Sequence, residues 1–260
     1  RRGDAVMKSI LHLTLTPILA LALGACSSGP QPQEQAANYP EPVFTAKRLL
    51  PPEKDNLDDL TPVYDPWEGM NKRIYNFNYH FDKAVFLPVV RGYETVVPQV
   101  GRTGISNFFN NFDDLLTALN SALQLKPKKF FQSTGRVIVN STVGLFGLVD
   151  VASAMEIARP MEDFGQTLGF WGVGQGPYLV IPFLGPSNLR DGLGKLPDTY
   201  VQSTVRSELL SDPVDLTTTL LYPIDARANT SFRYYENGSA FEYQMVRWLY
   251  STKRKLDVDQ

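Results

Sequence analysis

The chain is short of the residues from which catalytic and metal centres are usually built. Its 260 residues hold one cysteine and two histidines, and the formal net charge is only −2. A single thiol excludes an internal disulfide, and so few His and Cys side chains exclude an ordinary zinc site. Near-neutrality excludes the basic stripe of a nucleic-acid binder. There is no uninterrupted apolar stretch of the roughly 20 residues that a membrane-crossing helix needs. G-x-S-x-G is missing, so Ser106 and Ser187 lack the setting of a hydrolase nucleophile. His80 sits off the apolar stripe of its segment and reads as a surface residue.

What is present begins with a processing signal. Lys8 precedes the apolar run "ILHLTLTPILALAL", which has the length of a signal-peptide core. Residues 1–6 precede Met7 and are expected to lie outside the natural start. The run ends in "LGAC", small residues before Cys26, the pattern of a bacterial lipobox. Residues 1–25 therefore read as a lipoprotein signal peptide, and Cys26 as the lipid anchor and first mature residue. Several acyl chains on that cysteine, palmitate-like in kind, attach a protein permanently, since each buried CH₂ contributes roughly 0.8 kcal/mol. Ser27 follows where an Asp would favour retention at the inner membrane, so the address resembles that of the outer membrane. Residues 26–62 are rich in Pro, Gln, Ser and Glu and read as a tether.

Folded structure is expected from residue 63 to 256, with 257–260 as a tail, and mainly α-helical. In "DPWE", Asp65 is expected as N-cap, with Pro66 in the first turn. Trp67, Met70, Ile74, Phe77, Phe81 and Val85 recur at helical spacing, a stripe that suits a core or a membrane interface. A second helix, about 103–125, carries Ile105, Phe108, Phe109, Phe112, Leu115, Leu116, Leu119 and Leu123 on one side. Asn110, Asn111, Asp113, Asp114, Thr117, Asn120 and Ser121 lie on the other. A soluble bundle or a boundary between lipid and water fits this pattern equally. A third helix is expected from Pro127, an irregular region with an extended "YLVIPF" over 160–195, and helices over 198–211, 212–221 and 239–256. Asp113-Asp114 and Glu162-Asp163 are adjacent acids of the kind that is usually solvated. Lys253 and Arg254 suit a helix C-terminus.

Four glycines crowd "GFWGVGQG" (169–176), but the order is G-x-x-G-x-G-x-G and an extended run follows. A dinucleotide loop needs G-x-G-x-x-G opening a helix, and a Walker loop needs Lys and Ser or Thr. The glycines read instead as tight turns and close backbone approaches. No motif calls for a cofactor or a metal.

The segments "DPWEGMNKRIYNFN", "SNFFNNFDD", "EDFGQTLGFWGVGQGPYLVIPFLGPSNLRDG" and "PIDARA" strongly resemble the MlaA/VacJ family of outer-membrane lipoproteins, over about residues 64–254. The last helix departs from the pattern, with Glu242-Tyr243 where Asp-Pro-Tyr is common. The resemblance implies a ring of amphipathic helices in the inner leaflet of the outer membrane, around a polar channel. It implies a non-enzymatic protein that draws misplaced phospholipid from the outer leaflet and passes it to a soluble periplasmic carrier of the MlaC type. It also implies association with a trimeric porin. In that frame Asn110, Asp114, Thr117 and Ser121 are candidate channel-facing groups. Phe170, Trp171 and Tyr178 pack the glycine-rich loop or line the lipid route. Arg190 contacts phosphate or, alternatively, pairs with Asp191 or another acid.

Overall fold

The computed structural model describes residues 63–236 and 238–260. The expected signal peptide, Cys26 and tether therefore lie outside the described residues. The remainder is mainly helical. Helix α1 (Glu68–Phe81) runs through one π-helical turn (Asp82–Phe86) into α2 (Leu87–Val96). Pro88 has no N–H to give to the preceding turn, and the wider π turn accommodates it. Then come α3 (Gln99–Leu123) and α4 (Pro127–Thr142), packed along one another. The short helices α5 (Val151–Ala154) and α6 (Phe164–Phe170) follow. A hairpin of β1 (Tyr178–Ile181) and β2 (Gly185–Asn188) leads into α7 (Leu189–Leu209), α8 (Asp212–Ala228) and α9 (Glu242–Asp259).

Several boundaries differ from the sequence expectation. Asp65 does not cap α1. Trp67 occupies the N-cap, and the Asp65 carboxylate instead accepts from Asn71 Nδ2 (2.8 Å), Tyr243 Oη (2.5 Å) and Arg247 Nη1 (3.2 Å). The region 160–195 is ordered rather than irregular. Asp163 caps α6 through Gln166 N, and Asn188 Oδ1 caps α7 by accepting from Asp191 N at 2.8 Å. Helix α7 therefore starts well before residue 198 and continues through Pro197. Helix α8 likewise runs on past 221, through Pro223.

The strands pair antiparallel, Tyr178 opposite Asn188 and Ile181 opposite Gly185. The other edge of β1 is taken by side chains of α1. Asn71 donates to Tyr178 O (3.1 Å) and accepts from Val180 N (2.9 Å). Asn78 donates to Ile181 O (3.1 Å) and accepts from Phe183 N (2.8 Å). Each carboxamide thus acts as one peptide unit of a third strand.

Burial is inverted relative to an ordinary soluble protein. Among the described residues the fully buried set holds nine apolar or aromatic side chains and 24 polar or charged ones. On α1 the buried positions are Asn71, Tyr75 and Asn78, continued by Asp82, whereas Trp67, Met70, Phe77 and Val85 are exposed. On α3 Asp114, Thr117, Asn120 and Ser121 are buried, and Leu115, Leu119 and Leu123 face outward. On α9 Glu242, Tyr243, Arg247, Ser251 and Arg254 are inside, and Phe241, Met245, Trp248 and Leu249 outside. The apolar core is one small cluster, Tyr75, Tyr178, Val180 and Tyr243, ringed by Tyr234, Tyr250 and Val246.

Candidate functional site: a polar interior inside an apolar surface

The centre of the polar interior is Arg136, which α4 presents toward α3 and which is only 1% exposed. A guanidinium has five N–H donors on three nitrogens, and here each nitrogen has an acceptor. Nε reaches Asp114 Oδ2 at 2.9 Å; Nη1 reaches Ser153 Oγ and Ile157 O; Nη2 reaches both Asp150 oxygens at 3.0 and 2.9 Å. Asp114 also accepts from Arg159 Nε at 2.8 Å. Burial works against the Asp150 carboxylate, but hydrogen bonds from Ser153, Arg136 and Asn140 outweigh it and hold its pKa at about 2. Next door, burial pushes Asp113 up to about 6 even though Arg159 pulls the other way. Asp113 accepts from Gln202 Nε2 at 3.0 Å.

A second node joins α6, α7 and α9. Arg254 holds Asp163 with two bonds of 2.8 Å and Asp191 through Nε at 2.7 Å. Burial disfavours both carboxylates, yet Arg254 keeps them below the usual carboxylate range. Arg190 Nε donates to Asp191 Oδ1 at 2.8 Å. The glycine motif has its explanation here. A Cβ on Gly169 would lie 2.6 Å from Arg190 Nη1, and one on Gly194 would lie 2.6 Å from the backbone N of Gly165. Gly172 and Gly176 adopt positive φ.

The sequence-predicted residues fall into three groups. Asp114, Thr117 and Ser121 are buried on the inner face of α3, with half-buried Asn110 at its edge. Asn110 O accepts from Arg159, and Thr117 Oγ1 from Glu162 N. Arg190 is buried against Asp191, the ion-pair arrangement of the two readings. Tyr178 is core, while Phe170 and Trp171 are exposed and in edge-to-face contact. The adjacent acids are not solvated pairs: Asp114 and Glu162 are buried and bonded to cations. Arg254 does not cap α9 but reaches sideways to α6 and α7. Arg136, Asp150, Arg159 and the asparagines of α1 escaped the sequence reading. The signal for Arg136 was a lone cation inside "STGRVIVNS".

Around this interior lies an apolar surface. The turn after α4 exposes Val143, Leu145, Phe146 (79%), Leu148 and Val149. Leu145 and Phe146 hold positive φ, a costly conformation for bulky residues, fixed by Gly147 N donating to Asn140 O at 2.8 Å. No helix among the described residues is long and apolar enough to cross a membrane, and they contain no group of three or more candidate metal ligands. Amphipathic helices with polar groups inward and apolar ones outward define a class: a helical protein whose outer surface suits hydrocarbon rather than water.

Residues 63–257 match the MlaA lipoprotein family, and the chain belongs to it. It is 37% identical over 141 residues to a protein of Escherichia coli K12 named intermembrane phospholipid transport system lipoprotein MlaA, covering 52% of this chain and 56% of that protein. The protein of that name from Haemophilus influenzae is 33% identical over 137 residues, with 52% and 55% covered. An uncharacterized protein of Rickettsia bellii is 39% identical over 136 residues, with 52% and 53% covered. The chain spans about half the length of the curated relatives it matches. A solved structure described as "Structural basis for maintenance of bacterial outer membrane lipid asymmetry" superposes with a TM-score of 0.61 at 29% identity, covering 75% of this chain and 98% of that one.

Proposed function

We propose that the protein is an outer-membrane lipoprotein, anchored through Cys26 on the periplasmic side. It removes misplaced phospholipid from the outer leaflet and passes it to a periplasmic carrier of the MlaC type, in association with a trimeric porin. The observation that carries the reading is the inverted burial. Leu115, Leu119 and Leu123 face out while Asp114, Thr117 and Ser121 face in on the same helix. Hydrocarbon tolerates the first set, and a charged headgroup needs a path lined by groups like the second, because a bare charge in hydrocarbon costs several kcal/mol. In this reading Asn110 and Asp113, half-buried, face the polar path. Asp114, Thr117, Ser121 and Arg190 brace it from behind, Phe170 and Trp171 flank the lipid tails, and Tyr178 packs the core beneath the glycine-rich loop. Such a protein is not an enzyme. It lowers a barrier and selects a leaflet, and the net direction comes from a partner downstream. The relatives named for phospholipid transport support the assignment.

The test is lipid analysis of the full chain purified from outer membranes in mild detergent, with identification of co-purifying proteins. The expected result is stoichiometric intact phospholipid together with a porin. A folded sample without bound lipid would reject lipid removal in favour of a structural envelope lipoprotein. Appearance of lysolipid would reject the non-enzymatic reading.

A further inference from the structure

At the start of α4, away from the Arg136 node, two of three neighbouring lysines meet one buried carboxylate. Glu162 Oε1 accepts from Lys129 Nζ at 2.5 Å and from Lys126 Nζ at 3.3 Å, and Lys128 beside them is exposed. The Glu162 side chain is fully enclosed, yet its Oε2 finds no donor among the described residues. Helix α4 has no side-chain cap; Pro127 at its first position has no N–H, and those of Lys128 and Lys129, in the first turn, have no intrahelical acceptors. The cluster therefore has an excess of positive charge and free donors, beside one buried carboxylate oxygen without a donor. Its surroundings are apolar: Leu125 (71%), Met161 (74%) and Trp171 (62%) are exposed. The Trp171 indole is fixed at this end by its bond to Leu123 O at 3.1 Å. Lysine stems with charged tips beside a half-wet tryptophan are the side chains of a boundary between water and hydrocarbon.

We infer that the start of α4 and Glu162 form a subsite for a phosphate group that carries a primary ammonium close by. Lys126, Lys128, Lys129 and the two free N–H groups take the phosphate. As the lysines turn to it, the ligand's ammonium takes their place on Glu162. This chemistry is shared by ethanolamine phospholipid headgroups and by free phosphoethanolamine. A plain anion would leave Glu162 facing it, and a plain cation would meet the lysines. The subsite rests on the lipid-handling reading only for the source of its phosphate.

The experiment uses the full-length protein in mild detergent. Native mass spectrometry compares retention of phosphatidylethanolamine, phosphatidylglycerol and soluble phosphoethanolamine by the unaltered chain, Lys128→Glu, Lys129→Gln and Glu162→Gln. The unaltered chain is expected to favour phosphatidylethanolamine over phosphatidylglycerol. Glu162→Gln should lower retention of the ethanolamine lipid about tenfold and erase the preference, the scale of one lost charge-assisted hydrogen bond. Lys128→Glu, at an exposed position that does not endanger folding, should weaken both lipids by about threefold. Binding of the lipid but not of phosphoethanolamine assigns the site to headgroups, and equal binding assigns it to the soluble compound. Lipid retained with the same headgroup ratio in every variant overturns the subsite and leaves lipid handling intact. Phosphoethanolamine bound in a Glu162-dependent way by a chain that retains no lipid sustains the subsite and rejects lipid handling.

Discussion

Two parts of the interior are polar in different ways. Between α3, α4 and α5 the centre is ionic: Arg136 and Asp114 are buried, and half-buried Asp150 and Arg159 pair with them. Between α1, β1 and α9 the buried groups are mainly phenols bonded to carboxylates, with one buried ion pair, Arg247 on Asp65. Tyr75 Oη donates to Glu242 Oε1 at 2.6 Å and Tyr243 Oη to Asp65 Oδ2 at 2.5 Å, while the Tyr75 ring packs edge-on against Tyr234, Tyr235 and Tyr243. The first region is held by charge and has almost no apolar mass. In the second, Tyr75 and Tyr243 each combine a ring contact with a hydroxyl bond, whereas the buried Tyr178 Oη has no partner among the described residues. With Leu and Phe committed to the outer surface, the described interior is built from ions, phenols and the amides and hydroxyls between them, such as Asn120, Gln124 and Asn140. Tyrosine supplies both apolar contact and satisfied polarity, and the ionic node supplies fixed direction.

The comparison breaks most readily at Arg136. Arg136→Met should destabilise the fold by about 3–5 kcal/mol, because Asp150 and Asp114 lose their buried partner. Denaturant unfolding in detergent measures this, and a loss under ~1 kcal/mol would mean that the node is not held by charge. Asn71→Leu, in the tyrosine region, should cost about 2–3 kcal/mol by leaving Tyr178 O and Val180 N unpaired. Tyr75→Phe keeps the ring and loses one bond, and Glu242 Oε1 still accepts from Tyr235 N. The same assay should show only about 1 kcal/mol. A loss equal to that of Arg136→Met would erase the distinction between the regions.

Titration sharpens the contrast. Asp150 has its pKa depressed to about 2. Its contribution is therefore complete above the unfolded value near 4 and is lost as pH falls toward 2. Asp113 is shifted the other way, to about 6. Its stabilising effect exists below pH 4 and disappears as pH rises through 6, so Asp113→Asn should raise the melting temperature at pH 8 more than at pH 4. An equal change at both would show that Asp113 is not perturbed. The smallest effect belongs to the tyrosines. Burial raises Tyr75 and Tyr243 well above the ordinary phenol range. The tyrosines' contribution should stay level up to about pH 10 and decline only beyond it, as the unfolded phenols ionise.

Much of the helix layout was legible in the sequence, because amphipathic spacing and proline punctuation are local. The start of α4 at Pro127 and the two faces of α3 are examples. Which face points inward was not legible, since the same periodicity serves a helix with water outside and one with hydrocarbon outside. The ionic nodes were not legible for a different reason. Arg136 finds Asp114 and Asp150 at separations of 22 and 14 residues, and Arg254 finds Asp163 91 residues away, so no spacing rule marks them. The glycine-rich block was legible as close approach, but its partners were not: Gly169 makes room for the Arg190 guanidinium, and Gly176 approaches the Leu189 side chain.

The asparagines on α1 have a kinetic consequence. Asn71 and Asn78 are seven residues apart, roughly 10 Å along a helix, which matches about three residues of strand. The hairpin they complete has only two strands of its own, too few to persist alone in water. It must therefore wait for α1, and the bonds that join them span 103 to 109 residues of chain. Helices α2 to α6 lie within that loop and can form from local contacts, whereas docking the hairpin needs the whole loop to close. The amides of Val180 and Phe183 should thus gain protection from hydrogen exchange late in refolding, after those of α3 and α4, and at the same moment as each other.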